Sequence, residues 1–236
     1  MSGKRLEGRI ALITGASRGI GAAVAKRFAA EGAHLILTAR TVGGLEEVDD
    51  AVRAAGGKAT LVPADLLSMD QIDQMGAAVH QRFGRLDILV GNAATLGILS
   101  PVAHVKPDVW EEALALNVTV NYRLIRSFDP LLRLSDAGRA IFVSSGAART
   151  AKPYWGPYSA SKAALESLVR TYAGEVASTS VCANILSPGA VRTSMRAQAF
   201  PGEDPQTLAS PDSITDAFVE LASADCIRNG ERITAQ

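Results

Sequence analysis

The sequence predicts an α/β protein: one doubly wound domain, with a parallel sheet of about seven strands and helices on both faces. Three observations lead there. Short apolar runs bounded by Gly, Pro or Asp recur at residues 10–14, 34–38, 59–62, 86–90, 140–143 and 181–186. Stretches with helical periodicity separate them. The runs are apolar throughout rather than alternating, as strands are when helices cover both sides of a parallel sheet.

Taken in order, the first strand runs into Thr14-Gly15-Ala16-Ser17-Arg18-Gly19-Ile20-Gly21, then a helix with Val24 and Phe28 on one face. Ile72, Met75, Val79 and Phe83 mark a third helix, and Ser68 with Gln71 predicts a capping box at its start. Val109, Ala113, Leu116, Val120 and Leu124 predict one longer helix. Ser210 before Pro211 marks another helix start. Residues 197–210, rich in Pro, Gly and acids, predict a mobile loop inserted between elements. With no composition break or internal repeat, residues 1–236 read as a single nucleotide-binding domain with a substrate loop around 190–210.

Composition narrows the function. Basic and acidic residues number 24 each, and aromatics are 5%. A balanced charge disfavours a nucleic-acid partner, and so few rings disfavour a stacking platform for bases. The two cysteines, Cys182 and Cys226, cannot form a disulfide framework and predict a reducing, cytoplasmic setting. No apolar run has the roughly 20 residues that span a bilayer, and no signal-peptide core precedes the first strand. A membrane partner is therefore not expected.

The first turn has the chemistry of a phosphate cradle. Glycines allow a tight turn and close backbone approach, and a helix N-terminus offers free N–H groups to a pyrophosphate. The spacing, G-x-x-x-G-x-G, departs from the usual dinucleotide fingerprint, but the strand–turn–helix context supports it. After the second strand, NAD-binding folds place an acid for the ribose 2′-hydroxyl. Here the stretch reads Leu37-Thr38-Ala39-Arg40. Arg40, with Arg18 from the glycine turn, can instead converge on a 2′-phosphate through charge-assisted bonds. NADP(H) is the expected cofactor, with NAD(H) as the alternative; two merely solvated arginines are the other reading of the pair.

Tyr158 and Lys162 stand four apart at the start of a helical stretch, hence on one face. A nearby ammonium favours a phenolate, so the pair predicts a tyrosine whose pKa is lowered for proton exchange. From these residues outward, the chain resembles the short-chain dehydrogenase/reductase family over roughly residues 7–223. TGxxxGxG and YxxxK both match. Ser145, thirteen residues before Tyr158, falls where the family keeps its catalytic serine, with Ser144 as the nearest competitor. Asn117 matches the helix asparagine of the tetrad, Asp65 the acid that contacts adenine, and Asn92 the second asparagine of the NNAG box. Pro188-Gly189, with Thr193 following, matches the motif beside the nicotinamide.

The resemblance implies a Rossmann-type fold and an oxidoreductase that interconverts a carbonyl and an alcohol. Ser145 and Tyr158 would hold the carbonyl, Tyr158 would exchange its proton, and Lys162 would hold the nicotinamide ribose. Asn117 would support a water relaying protons to Lys162. Gly15, Ser17, Arg18, Gly19, Ile20, Gly21, Arg40, Asp65, Leu66, Asn92, Pro188, Gly189, Val191 and Thr193, with Tyr158 and Lys162, would contact the cofactor. A homodimer or homotetramer is implied as well. A non-catalytic NADP(H)-binding sensor on the same fold is the competing reading.

Two departures stand out. The NNAG box reads Gly91-Asn92-Ala93-Ala94, and the final segment reads Ile233-Thr234-Ala235-Gln236 where many relatives carry a longer last strand and a V-D-G-G-like segment. Other motifs carry less. Ser159-Ala160-Ser161-Lys162 matches S-x-x-K, but the S-D-N and K-T-G elements that should accompany it are missing. His34, His80 and His104 lack metal-ligand spacing, so no metal is expected. Asp87 reads as a structural hydrogen-bond partner. Ligands of such folds sit beyond the strands' carboxyl ends, which points to residues 95–104, 146–155 and 190–208. The last two hold Arg149, Lys152, Tyr154, Trp155, Arg192, Met195, Arg196 and Phe200, a rim suited to an acidic group unless its cations are simply solvated.

Overall fold

The computed structural model describes residues 3–236. Among these, seven parallel strands form one sheet in the order β3-β2-β1-β4-β5-β6-β7. They are β1 (Ile10–Thr14), β2 (His34–Ala39), β3 (Lys58–Pro63), β4 (Ile88–Gly91), β5 (Arg139–Val143), β6 (Cys182–Ser187) and β7 (Arg232–Thr234). The chain winds outward from β1 to β3, then returns to β4 and winds the other way. The strand order therefore reverses between β1 and β4, where such sheets open a crevice for ligands.

Side chains alternate across each strand and fill two cores. From β1, Ala11 and Ile13 join Phe28, Leu37, Val48 and Phe218 on one face. Ile10 and Leu12 join Ile72, Leu89, Phe128, Phe142 and Leu165 on the other. Helices α1 (Gly19–Ala30), α2 (Val42–Ala54) and α3 (Met69–Phe83) connect the first four strands. Next come α4 (Pro107–Leu114) and α5 (Val120–Leu132), then α6 (Ala147–Thr150), α7 (Gly156–Glu175), α8 (Ser194–Ala199) and α9 (Thr215–Ala222).

Several local expectations need correction. The apolar run at 86–90 enters the regular strand only at Ile88. Asp87 before it still bonds both neighbours through its backbone, to the Ile10 carbonyl at 3.0 Å and from the Arg139 N–H at 2.9 Å, while its carboxylate accepts from the Ile10 N–H at 2.8 Å and the Ser135 hydroxyl at 2.6 Å. Asp87 is thus the structural partner expected of it. The helix predicted over 109–124 is interrupted by a π-helical turn, Ala115–Thr119. Ser68 does not form a capping box: its hydroxyl caps nothing, while Gln71 Oε1 accepts from the Asp65 N–H at 3.1 Å. Ser210 Oγ does accept from the Ser213 N–H at 3.2 Å, but it opens a short 3₁₀ turn, Asp212–Ile214, ahead of α9.

Residues 197–210 are more built than a plain loop. They contain the end of α8 and a 3₁₀ turn, Pro205–Thr207, capped by Asp204. The excursion closes on itself where the Arg192 N–H bonds the Ala209 carbonyl at 2.9 Å.

Candidate active site

One cavity of about 300 Å³ opens above the β1–β4 crevice. Its nucleotide end is made by the glycine turn. Gly15 and Gly19 sit at φ +64° and +58°, a region that side chains disfavour. A Cβ on Gly21 would lie 2.3 Å from the Gly15 carbonyl oxygen and 2.7 Å from Asn92 Nδ2, so only glycine fits. Asn92 fastens the turn: its Nδ2 donates to the carbonyls of Thr14 (2.9 Å) and Gly15 (3.2 Å). Thr14 Oγ1 in turn accepts from the N–H groups of Asn92 (2.9 Å) and Ala93 (3.0 Å). The start of α1 carries no side-chain cap, which leaves its first-turn N–H groups for a ligand.

Gly91 explains the altered box. A Cβ there would meet Asn121 Oδ1 at 2.4 Å and Phe142 at 2.6 Å, so the side chain missing from β4 is replaced by packing from α5 and β5. Arg18 and Arg40 line the same cavity, and both are exposed. Neither has an acidic partner among the described residues. Asp65 and Leu66 line the wall beside them, and Asp65 Oδ1 accepts from the Leu67 N–H at 3.1 Å.

At the other end, α7 presents Tyr158 and Lys162 one turn apart, both buried. Lys162 Nζ donates to the Val143 carbonyl at 2.8 Å and lies 5.8 Å from the centre of the Tyr158 ring. Burial pushes its pKa down to about 8. Burial raises the Tyr158 phenol, against which the Ser145 hydroxyl, hydrogen-bonded to it, pulls down. The expectation that the ammonium lowers the phenol therefore needs correction: Nζ is turned to the strand carbonyl, and desolvation dominates at the ring.

The adjacent serines point apart. Ser145 faces Tyr158, whereas Ser144 Oγ donates to Glu166 Oε1 at 2.8 Å. Glu166, two turns beyond Tyr158 on α7, also binds Arg232 Nε at 2.9 Å, with Arg149 and Arg170 at 3.7 and 3.4 Å. Arg232 reaches on to the Ser145 carbonyl at 3.4 Å, tying β7 to the serine loop. Burial would raise the Glu166 carboxyl, but Ser144 and then Arg232 hold it below the usual range. Glu166 escaped sequence reasoning; its place on the Lys162 face, four residues on, was the available signal.

Asn117 sits in the π turn, fully buried. Its side chain clasps both backbone groups of Thr95 at 2.9 Å and donates to Ser161 Oγ at 2.9 Å. Its own carbonyl accepts from Asn121 Nδ2 at 2.8 Å. Of the residues expected at the site, all line the cavity except Gly21, which lies behind the turn, and Asn117, which lies behind Thr95 and Ser161. Gln236 was also missed: its Nε2 donates to the Pro188 and Ala190 carbonyls (2.9 and 3.2 Å), clasping the turn at Gly189, whose φ is +78°.

The basic rim is neutralised only in part: Arg196 makes two bonds to Glu203, whereas Arg149 shares Glu166 with Arg170 and Arg232, and Lys152 and Arg192 have no ion pair among the described residues. His34 Nε2 meets Thr60 Oγ1 at 3.1 Å. Among the described residues, no group of three or more His, Cys, Asp or Glu is arranged to hold a metal, and no helix is long and apolar enough to cross a membrane.

A parallel doubly wound sheet, a glycine turn at its switch point and a Ser–Tyr–Lys cluster across one cavity define a dinucleotide-dependent dehydrogenase site. The comparisons agree. The short chain dehydrogenase family model matches residues 9–204. The chain is 36% identical over 226 residues to the oxidoreductase YciK of Escherichia coli K12, covering 94% of this chain and 89% of that one. A short chain dehydrogenase structure from Pseudomonas syringae superposes with a TM-score of 0.96 at 37% identity, covering 99% and 96% of the two chains. One from Shigella flexneri 2a, solved with NADP, superposes at 0.95 with 34% identity and 99% coverage of each. The chain belongs to the short-chain dehydrogenase/reductase family and is an oxidoreductase acting on CH–OH or C=O groups.

Proposed function

We propose that this protein is an NADP(H)-dependent oxidoreductase that interconverts a carbonyl and an alcohol on a small organic substrate, with Tyr158 as acid/base. The observation that carries the reading is a single cavity with two guanidiniums, Arg18 and Arg40, that have no acidic partner among the described residues at one end, and Ser145, Tyr158 and Lys162 at the other. The cradle fits a dinucleotide phosphate: Gly15 and Gly19 bring bare backbone at positive φ to its wall, and α1 starts uncapped. The Shigella relative solved with NADP supports the same cofactor.

When bound, the nicotinamide donates or accepts the hydride. The chain supplies binding, orientation and the proton. Arg18 and Arg40 would hold the 2′-phosphate, and Gly15, Ser17, Gly19 and Ile20 the pyrophosphate. Asp65 and Leu66 would flank the adenine. Pro188, Gly189, Val191 and Thr193, which line the cavity after β6, would support the nicotinamide end. Ser145 and Tyr158 hydrogen-bond the substrate oxygen, which stabilises the charge that develops there. Tyr158 delivers its proton in reduction and recovers it in oxidation. Lys162, whose Nζ lies 5.8 Å from the centre of the Tyr158 ring, would hold the nicotinamide ribose. The Asn117 carbonyl, with one lone pair taken by Asn121, has a second for a relay water serving Lys162.

The test is NADPH oxidation against a panel of aldehydes and ketones, with Tyr158→Phe as control and NADPH affinity measured in parallel. Turnover by the wild type, lost in the variant while NADPH still binds, supports the reading. Tight NADPH binding with no turnover on any carbonyl would favour the sensor. The α5 and α7 faces are read as the surfaces of a homo-oligomer, which a light-scattering mass checks.

A further inference from the structure

We infer that the substrate's carbonyl, or its alcohol, carries an apolar alkyl or aryl arm rather than a hydroxylated or phosphorylated one. This rests on the reading of Tyr158 as acid/base and extends to what surrounds that ring. Tyr158 belongs to neither main core. It sits in a small apolar cluster of its own with buried Leu96 and Ala147, against which half-buried Leu99, Trp155, Met195 and Ala199 pack. Leu96, Trp155, Met195 and Ala199 also line the cavity, joined by Leu116 from the π turn. Half-buried apolar side chains on a cavity wall leave surface in water that an apolar ligand arm would cover.

The wall is built from three distant segments and held firmly. Ala151 and Tyr154 sit at φ 42° and 73°, a costly region for residues with side chains. The turn they form delivers Trp155, whose ring meets Tyr158 edge-on at 6.0 Å and Phe200 at 5.6 Å. Ser100 fastens this turn to the segment after β4, its N–H bonding the Tyr154 carbonyl at 3.0 Å. Arg196 stacks on Phe200 at 3.8 Å while bonding Glu203 at 2.6 and 2.5 Å.

Charge argues the same way. Arg196, on the wall, is neutralised by Glu203, while Arg149, 3.7 Å from Glu166, stands outside the cavity lining. Lys152 stands on the rim, over the Phe200 and Trp155 rings at 4.8 and 5.6 Å. A phosphorylated or polyhydroxylated arm laid on this wall would lose water and find few partners. Of the hydroxyls beside it, Ser145 and Tyr158 are engaged by the carbonyl itself and Thr193 caps the start of α8, with Ser194 a further one on the lining.

The test uses the NADPH-loaded full chain and straight aldehydes from propanal to hexanal, with glyceraldehyde as the hydrophilic member. We expect kcat/KM to rise about three- to fourfold per methylene, and glyceraldehyde to fall below propanal. Trp155→Ala, and separately Met195→Gln, which keeps side-chain length, should each lower the hexanal-to-propanal ratio about threefold or more. A flat series, a preference for glyceraldehyde, or ratios unmoved in both variants overturns the proposal. Calorimetric affinities of the unreactive amides, propionamide to hexanamide, separate this from the acid/base reading. Steep amide affinities without NADPH oxidation uphold the apolar arm and overturn Tyr158 as acid/base; a flat amide series overturns the apolar arm whether or not aldehydes react.

Discussion

The two ends of the cavity are built by different means. The nucleotide end comes largely from one short stretch, Thr14–Gly21, fastened by Asn92 through backbone carbonyls. Its turn needs glycines that leave no room for a Cβ, and two arginines without an acidic partner among the described residues stand on its wall. The substrate end is assembled from segments after β4, β5 and β6, and its surface is apolar side chain rather than backbone. One end is therefore set by local conformation and charge, the other by long-range packing. Changes at one end should register in cofactor affinity, and changes at the other in substrate preference.

Tyr158→Phe is the largest expected break. Removing the one hydroxyl placed to move the proton should lower kcat/KM by about 10³-fold, within the range for general acid–base groups. NADPH affinity, titrated by fluorescence, should change little. A variant that also lost NADPH binding would show that the two ends are not separable.

Glu166→Ala should break the structure behind the serine loop instead. It strips Ser144 and Arg232 of their shared carboxylate, at an expected cost of about 3 kcal/mol in urea unfolding. The wild type carries a matching pH signature. The folded carboxyl lies below its ordinary pKa, so its stabilisation is present above the usual carboxylate range and is lost as pH falls through the folded value. Melting curves in acid should therefore converge for wild type and variant.

Arg40→Ala tests the nucleotide end alone. Loss of one charge-assisted contact should reduce the NADPH-over-NADH preference about 10- to 100-fold. The dependence of kcat/KM on aldehyde length should stay unchanged. An intact NADPH preference would sink the assignment of Arg18 and Arg40 to a 2′-phosphate.

Lys162→Met gives the smallest effect on stability and reverses its sign. With the folded pKa near 8 against an ordinary 10.5, the buried ammonium costs stability below pH 8, and the cost fades as pH rises to 10.5. Its full size is about 3 kcal/mol, part of it offset by the bond to Val143 that the variant loses. The variant should thus be inactive yet melt a few degrees higher at pH 7, an advantage that shrinks by pH 10.

What was legible in the sequence divides along the same line. The glycine turn, the Tyr–Lys spacing and six of the strands are local patterns and could be read directly. The π turn that buries Asn117 was hidden, because apolar spacing from Ala113 to Leu124 tolerates one extra residue in a turn. Strand β7 was missed because Arg232-Ile233-Thr234 is short and not apolar; what pairs it is β6. The Glu166–Arg232 and Gln236–Pro188 contacts join residues 66 and 48 positions apart, and no local period signals them. Ser68 and Gln71 show the converse: a motif with the right letters was outcompeted when Asp65 engaged Gln71 instead.

The central claim is that this cavity passes hydride between a nicotinamide and a carbonyl while Tyr158 supplies the proton. Its most direct test follows the label itself, with NADPH deuterated at nicotinamide C4 on the transferring face and hexanal as acceptor, the alcohol being analysed by mass spectrometry. One deuterium on the alcohol carbon with the wild type, and a yield about a thousandfold lower with Tyr158→Phe at saturating cofactor, is the predicted result. Unlabelled alcohol, or equal label from the two proteins, would contradict it.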